Sequence, residues 1–265
     1  MLKSWVARRL ERPMSGRTSP LVLFCAPAGP TTTDPEDEAS RSLLVKAVGL
    51  PEVTAHALFN EAVGNLLARR LGLEPPEVGL TILTEQFVRA VERQLANYGL
   101  RIEPGVGVGT KFVTGLANFV PGAAPTPDEL EQMTSLYAFD MLVQNPDRRV
   151  DNPNCGSKDG RLVPYDFEMC FSFVMALGSP DPCAISTNGL ALRHCCHGAL
   201  RSRKASVSWK PILNALESLT DEELQQIASA VPSEWQNAAD RVCAHMSTVR
   251  DKLDVVELEL QRSLG

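Results

Sequence analysis

Up to about residue 120 the apolar residues come in short runs broken by polar or glycine-containing segments. Residues 21–25 (LVLFC) make a run suited to a buried strand, 31–40 (TTTDPEDEAS) read as a polar loop, and 43–48 (LLVKAV) predict a second strand. In that second strand Leu44, Lys46 and Val48 share a face by the two-residue period. A lysine among five apolar residues is an anomaly; the plain alternative is an edge-strand lysine whose ammonium reaches water. Leu58, Ala62, Val63, Leu66, Leu67 and Leu71 then repeat at helical spacing, with Gly72 where a C-terminal cap belongs. Glu61 lies beside this apolar stripe. Residues 78–83 (VGLTIL) predict another strand, 85–98 an amphipathic helix inserted between strands, and 105–120 a glycine-broken, β-like stretch.

The texture changes after Pro121. Thr126-Pro127-Asp128-Glu129 is a capping box with proline at the first helical position, so a helix should run from there to about Gln144. A second capping box, Thr220 to Glu223, is flanked by Leu219 and Leu224 as a hydrophobic staple, and from Ser233 the pattern is helical almost to residue 265. No internal repeat or low-complexity tract interrupts it. The expectation is an α+β chain: a twisted antiparallel sheet with one main helix in residues 1–120, a helical part in 121–265, and a hinge near 116–121.

Composition narrows the function classes. The 265 residues are 44% hydrophobic and 22% charged, which excludes a disordered or collagen-like chain. Lys and Arg number 26 against 32 Asp and Glu, a net charge of −6, so general binding to nucleic acid or to an anionic membrane is not expected. No apolar run is long enough to span a bilayer, and the basic residues of MLKSWVARRLERP precede no apolar core, so no signal peptide is expected. Seven scattered cysteines, an odd number, fit free thiols in a reducing cytoplasm.

Candidate chemistry concentrates in residues 145–171, NPDRRVDNPNCGSKDGRLVPYDFEMCF. Asp147 and Asn152 stand five residues apart on a polar loop, with Asn154 close by; the short strand 162–165 then runs directly into Asp166. Phosphoryl transfer from ATP needs one carboxylate to orient the attacking hydroxyl, with an amide oxygen and a second carboxylate to hold magnesium on the phosphates. A turn through 156–160 brings Asp166 back towards the Asp147 loop. A hairpin using Asp, Asn and Gly only for turn chemistry is the competing reading. The order of these parts, downstream of a lysine in an apolar strand and a glutamate on a helix, favours the chemical one.

These residues resemble the HipA-like kinases, a bacterial branch of the protein-kinase-like fold. SGRTSPLVLFCAPAG (15–29) resembles the family's segment leading into the first strands, and LLVKAV the strand that carries its ATP-contacting lysine. FNEAVGNLLARRLGLEPPEV (59–78) resembles its asparagine-glutamate helix, and NPDRRVDNPN with LVPYDFEMCF its catalytic loop and metal-binding strand. The resemblance implies a bilobal kinase fold with a β-rich N-terminal lobe and a helical C-terminal lobe. It implies that Lys46 contacts the α/β-phosphates, Glu61 positions that lysine, Asp147 is the catalytic aspartate, and Asn152 (or Asn154) and Asp166 ligate Mg2+. Backbone groups of Leu116, Ala117, Asn118 and Phe119 would meet the adenine. The chain departs from the pattern at Arg148-Arg149, where a histidine is common, at Asp166-Phe167-Glu168, which lacks the glycine of the kinase triplet, and in the thin glycine content of 15–19.

The expected activity is thus an ATP- and Mg2+-dependent kinase acting on a protein serine or threonine. By resemblance it would be a toxin of a toxin–antitoxin or phage-defence pair, with a protein substrate and a co-encoded antitoxin or regulatory partner. A small-molecule or lipid kinase of the same fold, and a nucleotide-binding pseudokinase, are the alternatives. His194-Cys195-Cys196-His197 invites a zinc reading, but adjacent ligands cannot all face one tetrahedral ion. No G-x-S-x-G elbow supports a hydrolase, and Arg193, Arg201, Arg203 and Lys204 read as a solvated basic face.

Overall fold

The computed structural model describes residues 2–29, 40–176 and 180–265. The polar loop expected over 31–40 therefore falls, apart from Ser40, outside the described residues. Five strands, β1 (Lys3–Pro13), β2 (Leu21–Pro27), β3 (Arg41–Lys46), β4 (Val78–Leu83) and β5 (Gly105–Lys111), pair in the order β1-β2-β3-β5-β4. The sheet is not the wholly antiparallel one expected. It closes into a barrel because β1 and β4 pair in parallel, from Lys3 opposite Gly79 to Val6 opposite Ile82. Gly79 makes that seam possible: a Cβ there would lie 2.6 Å from the Lys3 carbonyl oxygen.

The barrel is filled by inward side chains such as Trp5, Leu21, Leu23, Leu43 and Val45. Helix α2 (Glu85–Ala96), capped by Thr84 accepting from the Phe87 N–H, closes it with Phe87, Val91 and Leu95. Helix α1 (Ala55–Arg70) is different. It is buried on nearly every side, polar Asn60, Glu61 and Asn65 included, as a helix enclosed by other elements must be. Its Leu58, Phe59, Val63 and Leu67 belong to a second, larger core with the helices that follow. Gly72 (φ +88°) ends it, its N–H donating to the Arg69 carbonyl while the Leu73 N–H donates to Ala68.

A short strand β6 (Ala117–Asn118) pairs with β7 (Cys155–Lys158), which pairs with β8 (Arg161–Pro164). Between them α3 (Pro127–Leu142) begins with both halves of its capping box made: the Glu129 N–H donates to Thr126 Oγ1 at 3.3 Å and the Thr126 N–H to Glu129 Oε2 at 2.8 Å. It ends one half-turn before Gln144, where the Asn145 N–H returns to the Asp140 carbonyl and Pro146 follows. The remaining helices are α4 (His197–Ser202), α5 (Lys210–Glu217), α6 (Asp221–Ala228), α7 (Ala239–Arg250) and α8 (Leu253–Ser263). The stretch expected to be helical from Ser233 starts as a 3-10 segment, Ser233–Ala238, which has no side-chain cap. Arg70 on α1 pairs with Glu223 on α6 at 2.9 Å. Strands and helices thus alternate up to β8 in one mixed α/β chain, and only helices follow among the described residues. No helix among the described residues is long and apolar enough to cross a membrane.

Candidate active site

A cavity of about 630 Å³ opens between the barrel and the segment 147–168, with Lys46, Glu61, Asp147, Asn152, Asn154, Asp166 and Glu168 in its wall. Lys46 ends β3, which has β2 on one side and β5 on the other. The edge-strand alternative therefore fails. Its Nζ is only 2.9 Å from Glu61 Oε2, 2.5 Å from Asp166 Oδ1 and 2.8 Å from Glu168 Oε2. Burial alone would lower the lysine's pKa, but these three carboxylates outweigh it and hold the ammonium charged well above its ordinary range. Burial likewise pushes the Glu61 carboxyl up, against the pull of Lys46. One cation facing three acids leaves a formal −2 in the cage.

Local structure fixes each of these groups. Glu61 is held on the enclosed helix α1, and its Oε2 also accepts from the Phe167 N–H at 2.9 Å. Gly64, one turn on, lets α1 approach that segment: a Cβ there would sit 2.9 Å from the Phe167 Cβ. Asp166 has φ +60°, a left-handed conformation uncommon for a residue with a side chain. Asn60 Nδ2 donates to the Glu168 carbonyl at 2.9 Å.

The Asp147 loop is organised around amide donors. Asn152 Nδ2 and Asn154 Nδ2 both donate to Asp147 Oδ2, at 2.9 and 3.0 Å, while the Asp147 N–H donates to Asn145 Oδ1 at 3.1 Å. With both NH2 groups turned to Asp147, the two asparagine Oδ1 atoms are left to accept. Asp166 and the Asn152 amide are hard oxygen donors of the kind Mg2+ prefers, and the surplus negative charge of the cage suits a divalent cation. The residues present fit that ion.

Beneath the loop lies a buried anchor that sequence reasoning missed. The Arg148 side chain is fully buried, with Nε 2.5 Å from Asp140 Oδ2. Its Nη1 donates to the carbonyls of Asn154, Pro153 and Tyr165. His194 Nε2 meets the same Asp140 oxygen at 3.0 Å. Burial opposes the charge on Asp140, yet Arg148 and His194 hold its carboxyl below the usual range. One guanidinium thereby joins the end of α3, the loop and the start of the Asp166 segment. The signal available was a single aspartate in the apolar run SLYAFDMLV.

Other expectations resolve as follows. The linker side of the cavity is lined by Thr110, Lys111, Phe112, Val113 and Leu116. Of the four expected adenine-contact residues only Leu116 is in that wall; Ala117 and Asn118 pair with Ser157 and Gly156 of β7, and Phe119 packs on the larger core. After Leu116 the chain leaves the cavity wall and enters the small sheet. The ligand atoms of His194, Cys195 and Cys196 lie within 4.8 Å of one another, but both His194 ring nitrogens are engaged, Nδ1 accepting from the Cys196 N–H at 3.1 Å. His197 faces the Ser263 carbonyl instead. All seven cysteines are buried and free. Arg193, Arg201, Arg203 and Lys204 are exposed.

Comparison with known proteins gives the following. A family model described as HipA-like kinase matches residues 36–263. No curated protein matches. Among solved structures the chain is similar to a Helicobacter pylori proinflammatory kinase, CtkA, at 12% identity and a TM-score of 0.48, covering 98% of this chain and 99% of that one.

Proposed function

The chain belongs to the HipA-like kinases, and from that premise we propose that it transfers the terminal phosphoryl group of ATP to a serine or threonine hydroxyl of a protein. The observation that carries this reading is the clasp of Lys46 by Glu61, Asp166 and Glu168 in the wall that also holds Asp147. The barrel and the helical part act as the two lobes of a kinase, residues 1–120 and 121–265, with α1 packed into the core of the second.

In this reading ATP enters the cavity with its base against residues 110–113 and Leu116. The N–H groups of Lys111 and Phe112 already donate to the carbonyls of Glu77 and Ser42, so Val113 is the linker residue left to meet the base. Lys46 neutralises the α/β-phosphates, and Glu61 keeps its ammonium aimed. Asp166 and Asn152 would hold Mg2+, which when bound neutralises charge developing on the phosphate oxygens. Asp147 orients the acceptor. Its Oδ2 is saturated by two amide donors, so Oδ1 takes the hydroxyl proton, with the Arg149 guanidinium 4.0 Å away. Arg148 and Asp140 keep loop and metal-binding segment in register.

On the same resemblance we propose that the protein is a toxin restrained by a co-encoded partner. The test is incubation with γ-labelled ATP and Mg2+, alone and with cell lysate. Label on a lysate protein supports the reading. Label only on a small molecule or lipid favours the second kinase class, and binding of nucleotide without transfer overturns the kinase reading in favour of an interaction module.

A further inference from the structure

Residues 14–20 turn between β1 and β2 at the mouth of the cavity, closed by the Met14 N–H to the Pro20 carbonyl at 2.8 Å and the Ser19 N–H to the Gly16 carbonyl at 3.2 Å. Loops that wrap phosphates usually do so with successive backbone N–H groups, which glycines allow to converge. Here the turn has one glycine, Gly16, and its tip carries a guanidinium. Arg17 Nε is 3.0 Å from Glu52 Oε2, and Nη2 is 3.2 Å from Glu168 Oε1 and 3.4 Å from Met169 Sδ. Its Nη1 has no partner among the described residues. The hydrogen bond that Arg17 donates to Glu168, and then the charges of Glu168, Glu52 and Asp147, outweigh burial and hold the Arg17 pKa above its ordinary value. The guanidinium is thus within electrostatic reach of both the lysine cage and the catalytic loop.

We propose that Arg17 binds the terminal phosphate of the nucleoside triphosphate, doing with a side chain what a glycine-rich loop does with its backbone. The inference rests on the phosphotransferase reading above and deepens it. An arginine presents a planar fork of donors that matches phosphate oxygens two at a time. The partners it now has are replaceable. Glu52 is 59% exposed, which makes that pair weak, and Glu168 keeps Lys46 when Arg17 leaves it. A triphosphate tail arriving between Lys46 and Asp147 competes only with exposed Glu52 and with Glu168, which Lys46 already neutralises. Arg17 then spans the gap that transfer must cross, and the diphosphate product no longer reaches it.

The experiment is calorimetric titration of the βγ-imido analogue of ATP and of ADP, each with Mg2+, into the parent protein and Arg17→Gln. The Kd for the triphosphate analogue should rise roughly tenfold or more, the loss of one charge-assisted hydrogen bond, while that for ADP changes less than about threefold. Equal weakening of both nucleotides, or none, would overturn the proposal and leave the kinase reading intact. A parent protein that binds neither would overturn both together. Melting of the nucleotide-free variant checks its fold. If Arg17→Gln proves unstable, Arg17→Lys carries the comparison. A point charge in place of the fork should give a triphosphate preference below that of the parent, and an unchanged preference would refute the role.

Discussion

Replacing Lys46 by methionine keeps much of the side-chain volume and removes the ammonium that faces Glu61, Asp166 and Glu168. The cage then changes from a formal −2 to −3, with Glu61 and Glu168 almost completely buried and Asp166 about 30% exposed. Removing one partner of a buried ion pair costs about 3–5 kcal/mol, because the remaining charge keeps its desolvation penalty and loses its compensation. Over 265 residues, with an unfolding entropy of about 2.1 cal/mol/K per residue, that is a fall in Tm of roughly 5–9 °C. The loss should also depend on pH. Burial already raises the Glu61 pKa in the folded state, and without Lys46 it rises further. A carboxyl with a raised folded pKa contributes stability below its unfolded value of about 4.3 and loses it as pH rises through the folded value. The gap between parent and variant should therefore be full at pH 7.5 and shrink as the pH falls towards 4.5. Thermal unfolding can be followed by the fluorescence of Trp5, Trp209 and Trp235, all buried. A variant that melts within 1 °C of the parent at pH 7.5, or a gap that does not narrow on acidification, would refute this account of the cage.

Asp147→Asn should lower turnover roughly 10²–10⁴-fold with little change in ATP binding, since the interaction lost is made mainly in the transition state; a labelled-phosphate assay beside calorimetry separates the two. Asp166→Ala should instead weaken Mg2+-dependent ATP binding as well as turnover, and intact binding there with lost binding in Asp147→Asn would reverse the two roles. Asp140→Asn leaves Arg148 buried without a counter-charge and should cost about 3–5 kcal/mol at pH 7. Because the Asp140 pKa is held low, its contribution persists down to its unfolded value of about 3.9 and fades only as pH falls through the folded one, so melting curves at pH 7 and 5 should show the same gap. Overproduction in bacteria should slow growth, and the Asp147→Asn variant should not.

What depends on neighbouring residues was legible in advance. The strand Val78–Leu83 and the two capping boxes at Thr126 and Thr220 stand where the pattern put them, because caps and strand alternation are written within a few positions. The Lys46, Glu61, Asp147, Asn152 and Asp166 set was assembled from spacing and resemblance, and all five line one cavity. β1 went unassigned. Its buried Trp5, Ala7 and Leu10 break the two-residue period because irregularities fall between Ala7 and Arg9 and between Leu10 and Arg12. Barrel closure joins residues some 75 positions apart, beyond any local pattern. Glu168 was noticed only as a missing glycine; that it faces Lys46 depends on the left-handed turn at Asp166. Asp140, Arg148 and His194 meet across 54 positions, and a hydrophobic run with one acid in it does not announce such a partner.

The parallel β1–β4 seam also bears on how the protein keeps company. In a closed barrel every strand has both neighbours, so its backbone offers no ladder for a visiting chain to extend. Recruitment by strand addition is then closed off at the barrel, and a partner there must be recognised by loops and side chains. The seam depends on Gly79, whose hydrogen stands against the Lys3 carbonyl. A bulky residue at that position would prise β1 from β4 and expose two unpaired edges. Self-association of the chain, ahead of any change at the nucleotide cavity, would be its first symptom.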